Sequence, residues 1–167
     1  MSGDADHAPG QVIQQMLEDL GIGHVPPESG VITADWPIFW DYLPDAPDNA
    51  ICVYDTDPRN QGRIHFTGEQ IEQYGIQVRV RGTSVELTQL KAKSVAVAFD
   101  SHVLRRQVTV DTPAAIAGYV VQSVNRVSGP IRLGVEAGVS RRRSFTINAV
   151  TSLRMDDVGT GTGTGTS

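Results

Sequence analysis

The four histidines, His7, His24, His65 and His102, are the side chains best suited to acid–base or metal chemistry near neutral pH. Their spacing argues against both uses. They lie far apart, and none forms the paired-histidine helix motif that binds zinc, so they read as surface or loop residues. Asp55-Thr56-Asp57 begins like an oxygen-rich metal loop. Arg59 and Asn60, however, stand where a calcium loop needs an oxygen ligand and then a sharp-turn glycine, so the segment reads as a turn. Gly21-Ile22-Gly23 opens like a dinucleotide fingerprint, yet it follows a helical pattern and Pro26 takes the place of the third glycine. A helix cap explains it better. Cys52 sits within an apolar run, as a small buried side chain would. The nucleophile elbow of hydrolases and the Walker phosphate loop are both missing from the sequence. The expectation is a protein that is not an enzyme and uses neither cofactor nor metal.

The remaining charged constellations are basic. Arg105-Arg106 and Arg141-Arg142-Arg143 flank predicted strands, and such runs are either solvated turns or intersubunit contacts, where arginine pairs bidentately with carboxylates. Gln77, Arg79 and Arg81 share the polar side of a strand whose other side is apolar. In a two-layer protein that side of the sheet is expected to be free for a partner. Gln77, Arg79, Arg81, Arg141, Arg142 and Arg143 are therefore the candidate assembly-interface residues.

These residues must be positioned by a modest framework. A chain of 167 residues, 40% hydrophobic and 20% charged, fits one compact domain with residues left over for its ends. A formal net charge of -5 argues against sequence-independent DNA binding, which draws on Lys and Arg neutralising phosphates. One cysteine supports neither an internal disulfide nor a cysteine zinc cluster, and suits a reducing cytoplasm. No stretch approaches the roughly 20 apolar residues of a membrane span, so no membrane partner is expected.

Along the chain, Val12, Ile13, Met16, Leu17 and Leu20 recur at helical spacing, and Gly21 follows where a left-handed cap would sit. This predicts a helix over Pro9 to Leu20. Pro37 to Leu43 alternates as a strand, with Ile38, Trp40 and Tyr42 on one side. Pro44 to Asp48 is turn chemistry, Ala50 to Asp55 a strand buried on both faces, and Asp57 to Gly62 a polar turn. Gly75 to Gly82 is the clearest strand, with Ile76, Val78 and Val80 alternating with Gln77, Arg79 and Arg81. Thr83 and Glu86 have capping-box spacing, and Leu87, Leu90, Ser94 and Val97 or Ala98 continue a stripe, predicting a second helix over Ser84 to Asp100. Gln107 to Val110, Gly118 to Arg126, Ile131 to Glu136 and Arg143 to Leu153 follow as antiparallel strands separated by Pro or Gly turns. The fold class is α+β: one domain, a mostly antiparallel or mixed sheet, and two helices packed on one face. A flexible lead over 1–10 and a flexible Gly/Thr tail over 158–167 are expected to bracket a domain over 11–157.

Three stretches, in order, resemble one family. They are Leu43-Pro-Asp-Ala-Pro-Asp-Asn-Ala-Ile-Cys-Val-Tyr-Asp-Thr56, then Gly75-Ile-Gln-Val-Arg-Val-Arg-Gly82 running into the second helix, and Ser128-Gly-Pro-Ile-Arg-Leu-Gly134 leading to Phe145-Thr-Ile-Asn148. Over about Gln11 to Leu153 the chain is similar to the tail terminator (minor capsid) proteins of long-tailed bacteriophages. The resemblance implies a virion protein, assembled in the host bacterial cytoplasm, that forms a homohexameric ring at the head–tail junction. Its implied partners are other copies of itself, the major tail-tube protein and the head–tail connector or head-completion protein, with DNA passing through the ring without specific binding. Arg141 to Arg143 is more basic than the family's usual polar turn, and the Gly/Thr tail is an addition. The rival readings are a head-completion or connector ring protein of the same virion and, from another class, a small-ligand-binding domain.

Overall fold

The computed structural model describes residues 7–32, 35–63, 70–101, 104–113, 115–136, 138 and 141–155. His65, His102 and the Gly/Thr tail lie outside the described residues, as does the expected lead up to residue 6. Two helices and seven strands follow in the order α1 (Pro9–Asp19), β1 (Ile38–Trp40), β2 (Ala50–Arg63), β3 (Gln70–Gly82), α2 (Val85–Ser101), β4 (Leu104–Asp111), β5 (Ile116–Arg126), β6 (Ile131–Val135) and β7 (Arg143–Met155). They form a single α+β domain around one mixed sheet.

Helix α1 is fixed at both ends by the chemistry its sequence offers. The Ala8 N–H donates to Gln11 Oε1 at 2.9 Å, and the Gly10 N–H donates to Asp55 Oδ1 of β2 at 2.6 Å, so two amides without helical partners are satisfied. Only glycine permits this approach, because a Cβ at position 10 would meet the Trp40 ring at 2.8 Å. At the other end Gly21 takes φ 75°, with Ile22 N–H bonded to Leu17 O and Gly21 N–H to Glu18 O. That is the paired 6→1 and 5→2 pattern of a Schellman cap, as Gly21 leads one to expect.

The strands run in the order β1-β2-β3-β7-β5-β4, and β6 also pairs with β7. All pairs are antiparallel except β1 with β2. Strands β5 and β6 lie one after the other along the same edge of β7, β5 against its C-terminal part and β6 against its N-terminal part. Helix α2 packs on β3, β7 and β5, while α1 touches β1, β2 and β3 and also β4 at the far end of the strand order. A flat sheet could not bring β2 and β4 to one short helix, so the sheet curves around its helices. Ile76, Val78 and Val80 of β3, Phe145, Ile147 and Ala149 of β7, and Val12, Ile13, Met16 and Leu17 of α1 form one core with Val95 and Phe99 of α2. Each large apolar side chain so buried contributes about 1.5–3 kcal/mol. Ala50, Ile51, Cys52 and Val53 are all buried, as expected for a strand covered on both faces.

Four local expectations need correction. Strand β1 ends at Trp40, because Asp41 adopts φ 64° and Tyr42 turns out into solvent. Asp57 to Gly62 is part of β2 and not a turn, so β2 and β3 form a long hairpin whose Gln70–Glu72 end lies beyond the last β7 pairing at Gln73. The cap of α2 is Ser84 instead of Thr83: Ser84 Oγ accepts from the Leu87 N–H at 3.4 Å and Ser84 O from the Thr88 N–H at 2.9 Å. Finally, α2 buries Thr88, Ala92, Val95, Ala96, Ala98 and Phe99, leaving Leu87, Leu90 and Val97 exposed. The leucine stripe is the outer face of the helix.

Candidate assembly surfaces

The side of the sheet away from the helices carries Gln77, Arg79 and Arg81 on β3, but it is not an open polar face. Gln77 donates to Asn148 Oδ1 of β7 at 3.1 Å. Arg79 reaches Ser144 Oγ at 3.3 Å and lies 3.6 Å from the Glu136 carboxylate. Arg81 is only 2% exposed. Its guanidinium donates to the carbonyls of Pro44 and Pro47 at 2.7 Å, and of Asp45 and Asp48 at 3.3 Å. The cause lies in the connection between β1 and β2. Pro44 and Pro47 have no N–H, so this segment cannot join the sheet, yet its carbonyls still require donors where it crosses. One planar guanidinium fork supplies them.

Arg142 completes the arrangement from the segment before β7. It is 8% exposed, its Nε donates to Asp48 Oδ1 at 2.8 Å, its Nη1 donates to Asp45 Oδ1 at 2.6 Å, and Glu136 lies 3.7 Å away. The hydrogen bond from Arg142, reinforced by its charge, holds the Asp45 carboxyl below the usual range. The same two aspartates push Arg142 up from arginine's ordinary value. Arg81 is pushed down, by burial first and then by the positive charge of Arg142. Asp45, with a side chain 93% exposed, is what the network presents to water. Of the six candidate residues, Arg81 and Arg142 face inward and anchor this loop. Gln77, Arg79 and Arg143 are half-buried, and Arg141 is exposed.

The apolar surfaces lie elsewhere. On α2, Leu87, Leu90 and Val97 face solvent, Leu90 being 60% exposed. With Leu20, Ile22, Lys93, Ser94 and Ala98, Leu90 and Val97 line a groove of about 360 Å³ between α2 and the end of α1. A second exposed set is Ile131, Leu133 and Val135 on β6. Exposed apolar residues gathered in patches mark contact sites more reliably than single ones. The missed signal was in α2 itself, whose sequence carries two apolar stripes, one rich in leucine and one in alanine, with Phe99 on the second.

Among the described residues, nothing gathers the groups that chemistry would need. His7 is buried, its ring bonded to Tyr119 Oη and Thr112 Oγ1 at 3.0 Å, whereas His24 is exposed far along the chain. Among the described residues no cluster of three metal-ligating side chains occurs. Burial pushes the Cys52 thiol up to about 11, the wrong direction for a nucleophile. No described helix is long and apolar enough to cross a membrane.

The family comparison points the same way. The model of a family described as bacteriophage tail terminator protein matches residues 16–113, more than half of the chain and every element from within α1 to the end of β4. No curated protein matches it. Among solved structures, a chain from the virion of a native gene transfer agent particle is similar at 8% identity and a TM-score of 0.39, over 71% of this chain and 78% of that one. A structural family of this kind argues against an enzymatic role. On the strength of the family match, with a fold that assembles no reactive centre among its described residues, the chain belongs to the bacteriophage tail terminator family and is a structural protein of the phage tail.

Proposed function

We propose that copies of this chain assemble into a homohexameric ring that caps the tail tube, ends its polymerisation and joins the tail to the head connector. The family match over residues 16–113 carries this reading. The exposed apolar face of α2 supports it, because a compact domain that leaves Leu87, Leu90 and Val97 in water has a surface ready for burial by a neighbour. Assembly takes place in the host cytoplasm, with the major tail-tube protein on one side of the ring and the connector or head-completion protein on the other. DNA slides through without specific binding, as suits a chain of net charge -5. The body of the ring is the domain over 11–157, with the Gly/Thr tail over 158–167 outside it.

In this reading Gln77, Arg79 and Arg141 touch a neighbour or the tube directly. Arg81 and Arg142 act from behind, by shaping the loop that carries Asp45 and Asp48, and Arg143 borders the same surface at the start of β7. Deleting the gene tests the assignment. Filled heads beside unattached tails, or tubes of uncontrolled length, are expected in electron micrographs of the lysate, and normal joined virions would refute it.

A further inference from the structure

Identical subunits closing a ring of more than two members must meet through two different, complementary surfaces, one from each neighbour. We propose that these are the α2 groove of one copy and the end of the β4–β5 hairpin of the next, with Ile116 entering the groove and Asp111 meeting Lys93. The inference rests on the ring reading above and names the surfaces that would build it.

The acceptor is preformed. The Schellman cap holds Leu20 and Ile22 in place, and Lys91 donates to Ile22 O at 2.9 Å while its charge lies 5.3 Å from the Trp36 ring centroid. Lys91 is thereby committed, which leaves Lys93 as the charge on a groove otherwise lined by Leu20, Ile22, Leu90, Val97 and small residues. Among the described residues no carboxylate lines it. The complementary ligand is an apolar side chain with a carboxylate beside it.

The hairpin offers that pair. Ile116 is 71% exposed and lies directly across the ladder from Asp111, also exposed, so both project from the same side. Among the described residues neither Asp111 nor Lys93 has an ion-pair partner. The turn between them is held by reciprocal Thr112 and Ala115 backbone bonds of 3.0 and 3.1 Å, and His7 ties Thr112 to the start of α1. Donor and acceptor thus sit at opposite ends of an 11-residue helix, about 16 Å apart along its axis, where head-to-tail contacts require them. Charge excludes the other exposed apolar set. Ile131, Leu133 and Val135 are interleaved with Arg132, which repels Lys93. Tyr42 is exposed as well, but its hydroxyl would be stranded among Leu90, Val97 and Ile22.

The test uses the full chain, alone and with purified tail tubes, scored by sedimentation and negative-stain imaging. Lys93→Asp and Asp111→Lys are each expected to raise the concentration for half-assembly about tenfold, as loss of a facing charge pair does. Both together in one chain are expected to restore it to within about threefold, because each contact regains one charge of each sign. Ile116→Ser and Leu90→Ser should weaken assembly with unchanged circular dichroism and melting. If wild-type rings form and the single variants match them, or the double variant fails to recover, the contact assigned here is wrong and the ring stands. If the wild-type chain forms no ring alone or on tubes, the ring reading itself falls, and this contact with it.

Discussion

Arg81 is withdrawn from water while Leu90 is left in it, on opposite sides of the same sheet. Each looks misplaced by residue type, but the physical grounds differ. The arginine is buried because a proline-containing loop crosses the sheet there and its main-chain carbonyls need donors. The leucine is exposed because the curved sheet already fills its concave side with α1, β3 and β7 side chains, and the smaller Thr88, Ala92 and Ala96 let α2 approach closely. A polar residue turned inward must have local partners to explain it, and these are visible. Packing explains why Leu90 is left out of the core, but among the described residues nothing covers it, which directs attention to neighbours.

The contrast can be broken most forcefully on α2. Phe99→Ala is expected to cost about 3–5 kcal/mol by leaving a cavity, whereas Leu90→Ala on the outer face stays within about 0.5 kcal/mol. Urea denaturation of the two variants measures the difference, and equal losses would mean that the helix is rotated. Next in size is Arg81→Ala, expected to cost about 3 kcal/mol because the Pro44 and Pro47 carbonyls lose their donor without gaining water. Arg81→Lys should recover only part of it, since one ammonium cannot reproduce the fork. Asp55→Ala removes the acceptor at the start of α1 and also strands the Trp40 indole N–H, at a cost of about 1 kcal/mol in melting experiments.

The smallest effect is on pH. Asp45 has its folded pKa lowered by Arg142, so its contribution is fully present above the ordinary value of 3.8 and is lost as pH falls through the lowered one. Asp45→Asn should flatten the acid limb of the stability profile by slightly lowering the neutral plateau, while stability below the lowered pKa stays nearly unchanged. A variant whose acid limb still overlays the wild-type curve would show that the pair contributes nothing.

Much of the framework was legible from residue pattern. Alternation marked β3, the glycine after Leu20 marked the end of α1, and turn residues separated the last strands, because period and punctuation are local properties. The order of strands and the parallel pairing of β1 with β2 were not legible, since they depend on contacts between distant segments. Helix α2 was placed within one residue, but the wrong stripe was taken as its core. Leucines outrank alanines on any hydropathy scale, and only the close approach of helix to sheet favours the smaller residues. Pro58 and Gly62 gave the middle of the β2–β3 hairpin the composition of a turn, which hid its length. Arg81 was placed on the correct side of β3. Its partners were invisible because they are carbonyls, which every residue possesses.

That last point bears on how this protein can change over time. Arg81 grips the loop between β1 and β2 by its main chain alone, so this part of the hold is indifferent to the side chains the loop displays, whereas Arg142 holds the Asp45 and Asp48 carboxylates. Exposed positions such as Tyr42 and Ala46, which take no part in those bonds, can be exchanged for others of different size and charge while the loop keeps its course. The outward signature of this edge is therefore free to drift, and a descendant can retune what it recognises without rebuilding the fold beneath.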